Sequence, residues 1–525
     1  MQPGAPQGPY PTQAPVAMAQ TPMMMDIPLG MTLVGPEPVP LSPAPSNLQM
    51  ARPSRPWRMY GRIVLLVILL FWFEVFVVDG WTLAIIGEPL SGAISLICAI
   101  PMMLGVVAMR RPRAVLLERA VPDSTGQQLH TITTHTGSLQ TPMPTRFDRH
   151  LIRDDSVLDV PSSTVSWIIF SVTILCSIGL WYMIGEGGIG AQIIAGLLLI
   201  PVILIGFSIP VMGWWSHSTK RIGLPTRRRD AEAWLMAGIF SALPALFINS
   251  LIFPLLVLLI APDISMTGLE NLGGVISAPV GEELCKAGAI WFFASKIRSP
   301  KHGFQIGFTV GLGFAILENL MYIGMSGGDA ATVLVRGIGS IPGHATWTGL
   351  TGAAMGWALM RGRANELQRA AQSGMQIRPP EVVDPQWKLI DNESGEVIAT
   401  PGQAVESGVS VGPSGVEIWM PSAPIIQKEP WIKIPLPKSV GLGLSLAMIG
   451  HASWNGVLTV FDIFAASSGL SYLSITILAY ILMAMMVGGI LIIGTGLLHS
   501  VREAPDGSEV DEYQAQLAQL TQQRL

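Results

Sequence analysis

The stretch Gly281-Glu282-Glu283-Leu284-Cys285-Lys286 sets two adjacent carboxylates and an ammonium inside a run that otherwise reads as a membrane helix. A charge at mid-helix costs about 2.5 to 3.5 kcal/mol per Asp, Lys or Arg even on the mildest insertion scale, so its presence points to a function. On a wheel of about 100° per residue, Glu282 and Lys286 lie one turn apart on nearly the same face, while Glu283 points about a quarter-turn away. This predicts Glu282 as the more paired carboxylate and leaves Glu283 to face something else.

The surrounding chain agrees with a membrane setting. Of 525 residues, 50% are hydrophobic and only 13% charged, with a mean hydropathy of +0.49, whereas soluble domains carry about a quarter charged residues. The net charge of −4, with basic residues confined to short clusters, argues against a nucleic-acid partner. Cys98, Cys176 and Cys285 have no paired spacing and are expected to be buried thiols rather than disulfide or metal ligands.

Apolar runs of spanning length lie at about 62–86, 91–109, 164–184, 189–213, 233–261, 275–296, 303–323, 331–360, 438–465 and 470–499. The expected fold is therefore an all-α polytopic membrane protein of about ten transmembrane helices, with a small soluble insert that contains β structure. Residues 1–56, rich in Pro, Gln and Met, read as a disordered tail without a cleaved signal peptide. A four-span region over 57–232 contains a polar loop at 110–162. The segments 233–360 and 438–499 are separated by the polar insert 361–437, and a tail follows over 500–525. In the insert, Trp387 to Ile390 and Glu396 to Ile398 flank Asp391-Asn392-Glu393-Ser394-Gly395, the pattern of a hairpin. Tyr513, Leu517 and Leu520 suggest a short amphipathic helix in the tail.

Lys and Arg collect at alternate span ends: Arg52 to Arg62, Arg110 to Arg113, Lys220 to Arg229, Lys296 to Lys301, and Arg361 with Arg363. The opposite loops carry Glu88, Glu186, Asp263, Glu270 and Asp329. By the positive-inside rule both termini are expected to be cytoplasmic, in an integral, multi-pass cell-membrane protein. Gly303, Gly307 and Gly311 form a small-xxx-small repeat, echoed by Gly352 and Gly356, which predicts close helix packing within the chain.

Four of the later spans carry polar groups at compatible depth. Pro279 and Gly281 precede Glu282 and Glu283, and proline frees a backbone carbonyl beside them. Phe314 is followed by Glu318 and Asn319, Pro342-Gly343-His344 lies in mid-run, and His451 is followed one turn on by Asn455. Taken singly, each has a bland reading: an internal ion pair for Glu282 with Lys286, or an interhelical hydrogen bond for a lone His. Glu74 reads as interhelical glue or as facing an internal cavity, and Arg336 as a span-end residue whose head reaches the interface. The set has a chemical use. A carboxylate held away from water becomes a stronger base, a neutral imidazole binds a divalent metal or donates to an oxyanion, and an Asn amide donates to the same charge. That combination suits hydrolysis of a peptide bond. Ion- or proton-coupled transport is the alternative use, and a non-catalytic membrane scaffold the bland one.

Glu282-Glu283-x-x-Lys286, Phe314-x-x-x-Glu318-Asn319, His344 and His451-x-x-x-Asn455, in this order and on separate spans, resemble the PrsW family of intramembrane proteases, within the superfamily of type II CAAX-prenyl endopeptidases and Abi proteins. The resemblance covers about 233–499. It implies an endopeptidase that cuts a membrane-anchored protein, such as an anti-sigma-factor-like or other single-span substrate. By resemblance Glu282 is the general base, and Glu283, Glu318, His344, His451 and Asn455 support it, with Lys286 and Asn319 beside them. Glu318, His344 and His451 are the ligand set it implies for zinc or another divalent metal, if one is used. The His-Glu-x-x-His signature of zincins is absent from the sequence.

Overall fold

The computed structural model describes residues 41–43, 55–111, 114–122, 129–133, 138–140, 145–153, 157–224, 226–372, 388–390, 397–399, 410–412, 415–417, 432–505 and 507. The tail expected to be disordered falls outside these residues over 1–40, and so does the tail helix expected around Tyr513 to Leu520. The chain divides into two compact units, a membrane unit and a smaller unit drawn from residues 1–52, 114–152 and 381–428.

The membrane unit is built of helices: α1 Pro56–Ile85, α2 Pro89–Met109, α3 Ser163–Glu186, α4 Ile189–Ile222 and α5 Arg228–Ile260. Next comes α6, made of Met266–Leu272, a π-helical turn Gly273–Ser277 and Ala278–Trp291. Then follow α7 Pro300–Met325 and α8, made of Ala330–Val335, a π turn Arg336–Ser340 and Ile341–Gln372. Last are α9 Val440–Ser467 and α10 Tyr472–Glu503. Among the described residues, 8 helices are long and apolar enough to cross a membrane. The two expected spans outside that set are α6 and α8, which carry Glu282 and His344: the same polar residues that mark them as interesting lower their hydropathy. The protein is an all-α polytopic membrane protein.

Caps fix where helices start and stop. The Ser162 and Ser299 hydroxyls accept the amides of Val165 and His302 at 3.4 and 3.1 Å, opening α3 and α7, and Pro300 follows Ser299 at the first helical position. Helix α4 closes on Lys220, Arg221 and the left-handed Gly223, at φ 71°.

Helix α7 is the hub. In its apolar window 78% is buried, against 6–44% for the other spans, and Phe304, Phe308, Leu312, Ala315 and Ile316 sit in the main core. The glycine repeat works as expected, inside one chain. A Cβ on Gly303, Gly307 or Gly311 would strike the carbonyls of Gly352, Thr348 or His344 on α8, so the two backbones touch. On the other face of α7, Gly313 meets the Leu235 carbonyl and Gly238 meets that of Val310, which brings α5 equally close.

The π turns follow from the prolines. In the π register a carbonyl bonds the amide five residues on, and Ala278 and Ile341 close such bonds to Gly273 and Arg336. One step later the partner would be Pro279 for Gly274 and Pro342 for Gly337, and proline has no amide hydrogen. Side chains from other helices take these freed carbonyls: Asn455 Nδ2 donates to Gly274 at 2.8 Å and Trp214 Nε1 to Gly337 at 3.0 Å.

The smaller unit holds the strands β1 Leu41–Pro43, β2 Ala114–Pro122, β3 Leu129–Thr133, β4 Ser138–Gln140, β5 Thr145–Arg153, β6 Lys388–Ile390, β7 Val397–Ala399, β8 Ser410–Gly412 and β9 Gly415–Glu417. The hairpin of the insert is present as β6 and β7, antiparallel with Leu389 opposite Ala399 and Ile390 opposite Val397. It does not stand alone. The sheet runs β1-β3-β4-β6-β7, so the amino-terminal segment, the 110–162 loop and the insert contribute to one sheet.

The cysteines differ from expectation. Cys98 and Cys176 are exposed and Cys285 is partly buried, all with free thiols. An apolar run on a membrane helix faces lipid as readily as protein, so hydropathy does not distinguish the two.

The contact between α7 and α8 makes a direct prediction. Gly307→Val should destabilise the detergent-solubilised protein by about 1–3 kcal/mol or more, seen as a lower thermal unfolding temperature. Gly288→Val on α6, whose Cβ meets nothing within 4 Å, is the control, and equal unfolding temperatures would contradict the packing.

Candidate active site

Helices α6, α7, α8 and α9 bring Glu282, Glu283, Lys286, Glu318, His344 and His451 together. Because Gly311 lets α7 lie against the His344 carbonyl, the histidine side chain reaches Glu318 two turns further along α7. Lys286, with no exposed surface, is the centre. Its Nζ donates to Glu283 Oε1 at 2.8 Å and Glu282 Oε2 at 3.4 Å, lies 2.9 Å from His344 Nδ1, and sits 3.8 Å from the centroid of the Phe314 ring. Glu283 Oε1 also meets His451 Nδ1 at 3.2 Å, and its Oε2 accepts from Thr348 at 3.4 Å. His344 Nε2 meets Glu318 Oε2 at 2.9 Å, and the same oxygen accepts from Arg336 at 3.1 Å.

These partners correct the pairing read from the helical wheel. Glu283 is the saturated carboxylate and Glu282 the one held at longer range. Both lie within a turn of Lys286, and what decides between them is not the wheel but the neighbouring helices: α8 offers Thr348 and α9 offers His451 on Glu283's side. Arg336 is corrected as well. It is no interfacial residue: it bonds Glu318 and the Ser340 hydroxyl and stacks on Tyr322, 3.7 Å from that ring. Its spacing of 336, 340 and 344 on one helix face was the available signal.

Two expected members stand apart from the cluster. Asn455 is spent on the Gly274 carbonyl, where it holds α9 against the π turn of α6. Asn319 is fully buried, and its Nδ2 and Oδ1 have no partner among the described residues.

Hydrogen-bond chemistry sets the imidazole tautomers. An ammonium only donates, so His344 Nδ1 accepts and its Nε2 carries the hydrogen given to Glu318. An ionised Glu283 only accepts, so His451 Nδ1 carries the hydrogen and leaves the Nε2 lone pair facing Glu282 Oε2, 3.9 Å away. The Trp347 ring stacks on His451 with centroids 5.1 Å apart and fixes its plane. Three carboxyl groups thus share the two cations Lys286 and Arg336.

A cavity of about 850 Å³ opens onto this cluster. Glu282 and Glu318 line it, with Phe314 and Tyr322, and α1 contributes to its wall. Among the described residues the group compact enough to hold a metal ion is Glu282, His344 and His451, whose ligand atoms lie within 4.8 Å of one another. Glu318, rather than Glu282, completes the set expected from sequence. One carboxylate and two imidazoles are a donor set that suits zinc, with His451 Nε2 already free and His344 Nδ1 held by Lys286.

Ionisable groups gathered on facing helices beneath a cavity define a polytopic membrane protein with an enzyme-like centre inside its helical core. Residues 231–376 match the model of the PrsW family intramembrane metalloprotease. The match includes the Glu282–Lys286 stretch, Glu318 and His344. It stops short of His451, which the fold supplies from α9. Neither a curated protein nor a solved structure matches the chain.

Lys286→Met would leave Glu283 buried against His451 and Thr348 without its cation. Breaking a buried pair in this way costs about 3–5 kcal/mol, so the variant should unfold well below the wild type. Glu282→Gln, which keeps the Glu283 pair, should unfold close to the wild-type temperature, and the opposite order would contradict the assignment.

Proposed function

We propose that the protein is an intramembrane endopeptidase that hydrolyses a peptide bond of a membrane-anchored protein. The observation that carries this reading is Glu282: a carboxylate at the end of a large cavity, held loosely by Lys286 while its neighbour Glu283 is fully engaged. Glu282 is the group placed to take a proton from water entering through the cavity. Glu283 orients His451 by accepting its Nδ1 hydrogen, and His451 Nε2 can receive a proton or hold it for the departing amine. Lys286 holds Glu283 closely and Glu282 at longer range. His344 Nε2–H, shared with Glu318, is a donor that can turn to the developing oxyanion, and Arg336 holds Glu318 in position. Asn455, expected as an electrophilic partner, acts in this reading through the backbone of α6.

The family description and the donor set support a metal-dependent version. Glu282, His344 and His451 would hold a divalent cation, with His344 giving up its bond to Lys286, and the cation would supply Lewis-acid polarisation of the carbonyl and a more acidic water. Glu318, the second carboxylate on the cavity, would then take the proton.

The substrate in this reading is a single-span or lipid-anchored protein, anti-sigma-factor-like in kind, because the cavity lies among membrane-spanning helices. The distribution of Lys and Arg supports cytoplasmic termini. Single cysteines at Lys301 and Asp263 in a cysteine-free background should react with impermeant maleimide from the cytoplasmic and opposite sides respectively; reaction from one side alone would overturn the topology.

Cleavage of a single-span reporter by purified protein should fall by about 10²-fold or more in Glu282→Gln, with bound metal counted in the same samples. Loss of cleavage with unchanged metal content favours the metal-free version, and loss of both favours ligation. Cleavage at the wild-type rate would overturn the proposal.

A further inference from the structure

One wall of the cavity belongs to α1, outside the segment that matches the protease family. Phe71, Glu74, Val75, Val78, Asp79 and Thr82 recur at spacings of three and one along one helical face and line the cavity together. Among the described residues, the charged ones in the lining are Glu74, Asp79, Glu282 and Glu318, with no Lys, Arg or His. Three of the four have partners in the protein: Asp79 accepts the Ser95 hydroxyl at 2.8 Å, Glu282 faces Lys286, and Glu318 takes Arg336 and His344.

Glu74 is different. It is 6% exposed, and its buried Oε1 has no hydrogen-bond partner among the described residues. A carboxyl in an apolar wall is costly to ionise without a partner, and a ligand bringing a cationic donor would offset that cost. The position of α1 is itself well fixed. Arg62 Nε and Nη2 grip Glu232 at 2.6 and 3.2 Å, and Tyr60 bonds Ser208 at 2.8 Å, so Glu74 is held at the cavity by anchors about three to four turns away.

Resting on the protease reading of the same cavity, we propose that Glu74 forms a substrate subsite that takes a Lys or Arg side chain of the membrane-anchored substrate. The long aliphatic stem would lie along Phe71, Val75 and Met321, and the cationic head would meet the carboxylate. A cation suits the site better than a backbone amide, because the lining offers it no competing positive charge and its apolar walls leave that attraction unscreened. The α1 face from Phe71 to Thr82 is about 16 Å long, the reach of about five extended residues.

The test uses full-length protein in nanodiscs and a set of synthetic single-span peptides, identical except for Lys, norleucine or Glu placed singly at successive positions near one end of the apolar segment. Binding is measured by fluorescence anisotropy and cleavage by mass spectrometry on the same peptides. At one or two positions Lys should bind about tenfold or more tighter than norleucine. Glu74→Gln should abolish that preference, and Glu74→Lys should reverse it in favour of Glu. Thermal unfolding provides a check on folding, since Glu74→Gln keeps the size and polarity of the side chain and should unfold close to the wild-type temperature. Equal binding of Lys and norleucine peptides at every position, or a Lys preference that survives in Glu74→Gln, would overturn the subsite. Binding with a Glu74-dependent Lys preference but no cleavage of any peptide would sustain the subsite and overturn the protease reading instead.

Discussion

An ammonium buried among helices has no water to solvate it, and the arrangement of this protein's core follows from what Lys286 therefore requires. Its three hydrogen-bond directions are filled by Glu283, Glu282 and His344, and the Phe314 ring lies close beside it. Those partners come from α6, α7 and α8, and Glu283 passes the connection to His451 on α9. A buried ion pair contributes little net stability, since desolvation offsets most of the attraction. What it supplies is register: a slip of any one helix would strand a charge at a cost of several kcal/mol. The packing that permits this is steric. Glycines let α7 touch α8 on one side and α5 on the other, so short side chains of the cluster can meet across the helices.

The same arrangement divides labour between two adjacent carboxylates. Glu283 is held by a cation, an imidazole and a hydroxyl, and acts through the orientation it imposes on His451. Glu282 has the weaker hold and the cavity before it. Two identical side chains next to each other in sequence thus receive different roles from the helices packed against them. The π turns have a comparable logic. Proline removes the amide that would close the next π bond, and the freed carbonyls of Gly274 and Gly337 become attachment points for Asn455 and Trp214.

Much of this was legible in the sequence because burying charge is costly enough to be conspicuous. Glu282, Glu283, Lys286, Glu318, His344 and His451 stand out against apolar surroundings, and equal depth was enough to predict their meeting. The hairpin at 388–399 was legible from alternation and its turn residues. What was not legible was fixed by neighbours far along the chain. The choice of Glu283 over Glu282 for Lys286 depends on Thr348 and His451. Arg336 looked interfacial because hydropathy places it near a span end, and only the path of α8 turns it onto Glu318. The three-segment sheet could not be read at all, since each piece is a few residues long and finds its partner across whole spans. Glu74 was left between glue and cavity, and the fold resolves it as cavity.

The central claim is that Glu282 does chemistry and Glu283 does structure. The most direct test compares Glu282→Gln with Glu283→Gln in one preparation, measuring reporter cleavage and thermal unfolding together. The account predicts that Glu282→Gln abolishes cleavage while unfolding near the wild-type temperature, and that Glu283→Gln unfolds at a markedly lower temperature. A Glu282→Gln variant that still cleaves, or a Glu283→Gln variant as stable as wild type and catalytically dead, would contradict it.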